Sequence, residues 1–474
     1  MMVDFASLNI TSIMPMIIIV LGGLGILCLD MILGKFYKGI YVSLSIIIIA
    51  LSLFSLLYMD SYGSGFFSFV EIDGFSVVAQ AIILTASIFF VLLSRGDYKE
   101  FRYGEFYALL LFAIAGYQFM SAGSNLILIF VALEASSLAL YAMIALSRTD
   151  KGLEAAIKYF TLGAFGSGLF AFGLVFIYGS VGSLDITDLA FASQGAEVPK
   201  FLLLGFVFLL GALGFKLSFF PFHSWVPDIY EGSNPPLAFY MSIATKIAAF
   251  IVALRIFGIF LEVPFVKIIL FITIALTTTI PNIIALWQND VQRMLAYSSI
   301  SQAGFGLACI FVGTGDAISA LFLYWILFAF SNLGAFGLLW VVHNGKGAPF
   351  SKFSGLIKTS PLIAISFAIF MLSLGGIPPF GLFWGKIFVI LSAINGGHIA
   401  LALILLLNSG IAVYYYIKLI IFMFLKEPDS TQIAESTNAT LPIIGVIAIA
   451  AIICVGSLLA LGAIISHLGQ YLGI

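Results

Sequence analysis

The stretch LGFKLSFFPFHSWVPDIYEGSNPP, residues 213–236, sets two internal prolines, Pro221 and Pro227, into a run that otherwise reads as an apolar helix, with Lys216 just ahead of them. Proline removes a backbone donor and clashes with the preceding turn, so the segment predicts a broken helix. A second stretch, MLSLGGIPPFGLFWGK at 371–386, places Gly375, Gly376, Pro378 and Pro379 just before Lys386. At membrane depth such breaks are tolerated where protein or a water-lined cavity satisfies the freed backbone groups, and paired interruptions in two halves of a chain point to a transport site.

The surrounding sequence puts both breaks at membrane depth. The 474 residues are 62% hydrophobic and 9% charged, with a mean hydropathy of +1.18, whereas soluble domains carry about 25% charged residues. Cutting at charged or Gly/Pro-rich joints leaves fourteen apolar runs, the first at 14–33, the seventh at 201–222, the twelfth at 361–395 and the last at 441–466. Each approaches the ~20 residues that a span requires. The expected fold is therefore an all-α polytopic membrane protein of about fourteen transmembrane helices, with helices seven and twelve broken and no room for a soluble catalytic module. The first run, Ile13 to Leu33, lacks the basic flank and cleavage site of a signal peptide and is expected to be a retained helix. Cys28, Cys309 and Cys454 sit far apart in apolar runs without CxxC or Cys/His spacing, which argues against a haem, iron–sulfur or zinc site.

Charge asymmetry orients the spans. With an outside N-terminus, alternate loops collect Lys35, Lys38, Arg95, Lys99, Arg102, Arg148, Lys151, Arg293, Lys346, Lys352, Lys358 and Lys426, while the opposite loops hold Lys200 and Lys267. Acids such as Asp60, Glu71, Asp73, Asp185, Asp188 and Glu197 lie mainly on the second side. Basic residues accumulate in cytoplasmic loops, so both termini are expected outside.

The charges left within the spans carry the functional reading. Lys158, Lys216, Lys246, Arg255, Lys386 and Lys418 fall in or near apolar runs, and Glu134 is the acid placed deep in one. A charge at mid-bilayer costs at least ~2.5 kcal/mol, so such residues face a protein interior or hydrated cavity. Arg255 and Lys418 lie close enough to helix ends to snorkel to the interface. Lys158, in EAAIKYF, either caps a cytoplasmic helix end or pairs with Glu134. Lys216, Lys246, Lys386 and Glu134 leave less room for a bland role. A buried lysine beside a carboxylate stays charged, and one without a partner releases its proton readily, so a row of them can switch. The same side chains would plug a pore for bulk ions. His223, with Trp225, Asp228 and Glu231, follows the first break without convincing metal-ligand spacing; it reads as a hydrogen-bonded joint whose histidine can relay protons to Lys216.

The two halves also echo each other. KYFTLGAF at 158–165 and LYWILFAF at 323–330 share Tyr, Leu, Ala and Phe at one offset. Together with the matched breaks this favours two inverted five-helix repeats, over 105–258 and 259–426, preceded by three helices in 1–104 and followed by one in 427–474.

Five segments in order, ALEASSLALYAMIAL at 132–146, EAAIKYFTLGAFGSG at 154–168, KLSFFPFHSWVPDIYEG at 216–232, RMLAYSSISQAGF at 293–305 and GGIPPFGLFWGK at 375–386, resemble the antiporter-like membrane subunits of respiratory complex I, most closely the N-type of NADH-quinone oxidoreductase. The resemblance covers essentially the whole chain. It implies that Glu134 is the fifth-helix glutamate, Lys216 its seventh-helix partner, Lys246 the central connecting lysine and Lys386 the twelfth-helix lysine of the exit half-channel. It also implies a subunit without a redox cofactor of its own in a bacterial inner membrane. Quinone is reduced in a peripheral arm reached indirectly, and the partners are other antiporter-like and small membrane subunits and the bilayer, with no nucleic acid. Three positions depart from the common pattern: Gln292 where a lysine is usual, Gln302 where a histidine is frequent, and GSNPP before helix eight. Competing expectations are a subunit of a multisubunit sodium/proton antiporter, a subunit of a proton-pumping membrane-bound hydrogenase, and a structural role in which the polar groups glue helices together.

Overall fold

A computed structural model describes residues 9–33, 38–58, 63–95, 100–195, 198–342, 347–427 and 440–472. Lys35, Asp60, Lys99, Glu197 and Lys346, used above for orientation, lie outside these, as does the side chain of Lys38.

The described chain is almost wholly helical. Three leading helices, α1 (Met14–Leu33), α2 (Lys38–Leu57) and α3 (Gly74–Leu93), are interrupted by a small antiparallel hairpin of β1 (Gly63–Gly65) and β2 (Val70–Ile72). Then follow α4 (Gly104–Ala122), α5 (Leu126–Ala145), α6 (Asp150–Val181), the short α7 (Ile186–Ser193), α8 (Lys200–Leu217), the short α9 (Trp225–Gly232) and α10 (Pro235–Ile259). The second half contains α11 (Pro264–Leu286), α12 (Val291–Val312), α13 (Gly315–Val342), the short α14 (Leu356–Thr359), α15 (Pro361–Gly375), α16 (Gly381–Asn395) and α17 (Ile399–Leu425), and α18 (Leu441–Leu472) closes the described chain. Twelve of these helices are long and apolar enough to cross a membrane. With α15 and α16 as two halves of one broken span, and α18 as another, the expected fourteen crossings are accounted for.

Polar side chains fix where the helices start. Asp73 accepts from the Ser76 N–H in a capping box at α3, Asn234 accepts from Leu237 N–H ahead of Pro235 and Pro236 at α10, and Asp290 accepts from Arg293 N–H at α12. From Pro235 to Ala253 every residue of α10 is buried, so this helix forms the axis of the bundle. Packing follows one pattern in both halves: α4 on α5, α5 on α6 and α6 on α8 in the first, α11 on α12, α12 on α13 and α13 on α15 and α16 in the second.

Both expected breaks are present. The α8 helix ends at Leu217, and Ser218 turns the chain at φ 64°. The freed groups find partners from neighbouring elements: Phe220 N–H donates to Thr277 Oγ1 on α11 at 2.9 Å, and Trp225 Nε1 donates to the Phe215 carbonyl at 3.0 Å. The α15 helix ends at Gly375, and the capping Gly376 that follows has a φ of +76°, which suits glycine. A Cβ there would also lie 2.7 Å from Cδ of Lys386, so the glycine makes room for the lysine stem to fold back over the break.

Candidate functional site

Lys216, Lys246 and Lys386 are 3%, 1% and 3% exposed. Among the described residues no carboxylate oxygen lies within 4.0 Å of any of the three ammonium groups. Each is held by neutral oxygens. Lys216 donates to Ser137 Oγ on α5 at 2.8 Å. Lys246, in the middle of α10, donates to the carbonyl and hydroxyl of Ser299 on α12 at 2.6 and 2.8 Å. Lys386 donates to the carbonyls of Leu374 and Gly375 at 2.9 and 3.2 Å, groups left free where α15 stops and where the negative end of its dipole favours a cation.

Glu134 is half-buried on α5 and accepts a hydrogen bond from Ser167 of α6. It does not touch Lys216. Two hydroxyls stand between them: Ser167 on the glutamate and Ser137 on the lysine both line a cavity of about 10 Å³ with Tyr141 and Lys216. That is room for about one water. Tyr141 reaches this point because residue 163 is glycine, where a Cβ would lie 1.9 Å from its hydroxyl.

Of the two roles open to Lys158, a helix-end contact and a pairing with Glu134, the structure holds the helix-end one. Lys158 bonds Glu154 at 2.7 Å and Asp228 at 2.9 Å, at the α6 end near the short helix α9. Arg293 bridges Asp228 and Glu231 at 2.8 Å each, and Lys151 takes the other Glu231 oxygen at 2.9 Å. Gln292, the departure from the usual lysine, donates to the carbonyls of Tyr230 and Ser233 at 2.7 and 3.0 Å. Four side chains from α6 and α12 thus clamp α9, and Trp225 at its start holds the Phe215 carbonyl, one residue before Lys216. Burial pushes the Asp228 carboxyl up, but the hydrogen bonds and charges of Lys158 and Arg293 outweigh this and hold it below its ordinary value. Glu231 is likewise raised by burial and brought below its ordinary value by Lys151 and Arg293.

His223 sits half-buried in the break, its ring 5.4 Å from that of Phe220 and its Nδ1 without a hydrogen-bond partner among the described residues. No hydrogen bond joins it to Lys216. Arg255 and Lys418 find partners on other elements: Arg255 pairs with Asp73 at 2.8 Å and Glu71 at 3.6 Å, and Lys418 donates to the Gln288 carbonyl at 2.9 Å beside α11's end.

Between the second and third lysines the sequence reading missed a polar thread along α12. Ser299 holds Lys246, the neighbouring Ser298 hydroxyl bonds Tyr416 OH, and Gln302 reaches Tyr416 at 3.5 Å while accepting from Tyr324. Phe305 lies under Lys386, 5.7 Å from Nζ to ring centroid. From Ser299 to Phe305 is about 9 Å of helix at 1.5 Å per residue. The run SSIS at 298–301 was visible in the sequence, but nothing local identified which tyrosines it meets.

Comparison with known proteins agrees with this fold. A family profile, NADH:quinone oxidoreductase/Mrp antiporter, TM, matches residues 123–412. NADH-quinone oxidoreductase subunit N of Sulfurimonas denitrificans is 48% identical over 95% of this chain and 94% of its own length. A chain of respiratory complex I from Thermus thermophilus superposes with a TM-score of 0.83 at 30% identity, covering 96% of this chain and 99% of that one. A chain of the Mrp complex from a Dietzia species has the same fold, with a TM-score of 0.82 at 19% identity over 98% of both chains.

Proposed function

On the premise that this chain belongs to the subunit N family of NADH-quinone oxidoreductases, we propose that it is a proton-translocating membrane subunit of such a complex, driven by quinone reduction in other subunits. The observation that carries this is the row of buried lysines held by hydroxyl and carbonyl oxygens, two of them at helix breaks. A lysine whose acceptors are all neutral has its charge decided by whichever group next approaches it, which is the property a switch requires.

In this scheme a proton enters beside the clamped helix α9, at the basic face taken as cytoplasmic, with His223 available in the break as a relay. Lys216 receives it, and the charge on Glu134, acting across Ser167 and Ser137, sets how firmly it is held. Lys158 acts at the entrance through Asp228 rather than through Glu134. Lys246 takes the proton next and passes it along the Ser298–Tyr416–Gln302–Tyr324 thread to Lys386, nearest the outward exit. The two halves serve as inverted copies, each supplying one half-channel. The chain itself binds no redox cofactor, both termini lie on the outer side of a bacterial inner membrane, and its partners are antiporter-like and small membrane subunits with the redox arm reached indirectly.

The test is to purify the complex from native membranes, identify its companion subunits and reconstitute it in sealed vesicles. Electron transfer from NADH to quinone should drive proton movement, and Lys246→Ala should reduce the protons moved per electron while the subunit content stays whole. The Mrp-like fold keeps the antiporter alternative in play. Sodium/proton exchange without electron transfer, by a complex lacking redox subunits, would favour it.

A further inference from the structure

Away from the lysine row, α3 and α13 fail to close on each other and leave an elongated cavity of about 360 Å³, with Phe239 of α10 at its side. Small side chains make the opening: Ala81, Thr85 and Ala86 line it from α3 and Ala329 from α13. Aromatic pairs bridge the two helices at separate levels. Phe75 stacks on Phe322, with centroids 6.3 Å apart and an interplanar angle of 3°, and Phe89 meets Phe330 edge to face at 5.8 Å.

The shape and the chemistry of this slot select its occupant. Its α3 wall runs from Val77 to Phe89, about 18 Å at 1.5 Å per residue. On α3, which spans Gly74–Leu93, the slot begins about 4.5 Å inside one end of a hydrocarbon core ~30 Å thick and continues past the middle of the span, the course of one extended chain entering from that face. Thr85 is the one polar side chain among its lining residues. An apolar cavity of this kind stays dry, which excludes a proton path through it, and an empty one forfeits dispersion contacts along its walls. Both walls are helices long and apolar enough to cross a membrane, and the cavity reaches Leu57 at the exposed end of α2, so it opens on the apolar outer face of this chain.

We propose that this slot holds one acyl chain of a membrane phospholipid, wedged between α3 and α13. The test uses the intact complex reconstituted with phosphatidylglycerol carrying a photoactivatable diazirine at mid-chain. After exchange into detergent to strip bulk lipid, irradiation should leave adducts on 77–89 and 326–333, above those on the exposed Leu406 and Leu407 of α17. Ala329→Phe, which fills the slot, should lose those adducts; where that variant does not assemble, Ala81→Leu narrows the same space. Labelling no stronger than on α17, or unchanged by the filling substitutions, overturns the proposal. So does displacement of the label by an isoprenoid quinone but not by unlabelled phospholipid, which would assign the slot to a quinone tail.

Discussion

Lys386 keeps its ammonium on two main-chain carbonyls, and that geometry separates charge from titration. Lys386→Arg retains a cation for the Leu374 and Gly375 oxygens, but a guanidinium keeps its proton throughout the physiological range. The variant complex should assemble at normal subunit content and lose proton pumping, as measured by vesicle acidification. Lys386→Ala should also lose pumping and in addition destabilise the subunit, since an unsatisfied buried acceptor costs roughly 1–3 kcal/mol. Glu134→Gln isolates the other charge: the amide oxygen still accepts from Ser167 while the negative charge is gone. Pumping should fall with assembly intact; an unchanged proton-to-electron ratio would make Glu134 dispensable. Glu134, Lys216, Lys246 and Lys386 were legible in the sequence because a lysine or glutamate inside an apolar run has no cheap explanation. Their hydroxyl partners were not. Ser137, Ser167 and Ser299 are ordinary in membrane helices, and what singles them out is contact with residues 33 to 79 positions away in the chain.

The short helix α9 is the element on which the proposed entrance depends. It is tied to α12 by Gln292 and Arg293 and to α6 by Lys151 and Lys158, and its first residue holds the last turn of α8. Partly exposed ion pairs contribute about 0–1 kcal/mol each, so Arg293→Gln should cost little overall stability. It should nevertheless loosen α9, seen as faster amide hydrogen exchange across 225–232 with exchange in α10 unchanged. The pH dependence has a defined sign. Because the folded Asp228 and Glu231 carboxyls sit below their ordinary values, their contribution is complete above the unfolded values near 4 and is lost as pH falls through the lower folded ones. Exchange across 225–232 should therefore be insensitive to this cluster from neutrality down to about pH 5 and rise only in stronger acid. The breaks flanking these elements were legible from Pro221, Pro378 and Pro379, whose chemistry is local. The clamp was not, since it joins residues on three helices, and the alternative partner for Lys158, Asp228, could be chosen only once α9 was placed beside α6.

For the whole molecule, the question is whether the three lysines form one path or three independent sites. The fourteen crossings could be counted from composition, but the spatial order of the lysines rests on α12, which runs past Lys246 at Ser299 and past Lys386 at Phe305. A single path requires every member to accept and release the same proton. Replacing any one by Ala should then block pumping to a similar depth, and a Lys216→Ala, Lys246→Ala double variant should be little worse than either single, as for residues that act as a unit. Independent sites would instead give additive losses, with the double variant falling by the product of the two. Tyr416→Phe adds a separate check on the connection: it removes the hydroxyl shared by Ser298 and Gln302 while leaving all three lysines and their direct partners in place. In a series it should slow pumping, with no further effect when Lys386 is already alanine. If Tyr416→Phe lowered pumping further in the Lys386→Ala background, the thread along α12 would have to serve a path that bypasses Lys386. Measuring the proton-to-electron ratio of the unsubstituted complex and these six variants in sealed vesicles, with subunit content checked in parallel, decides between the two.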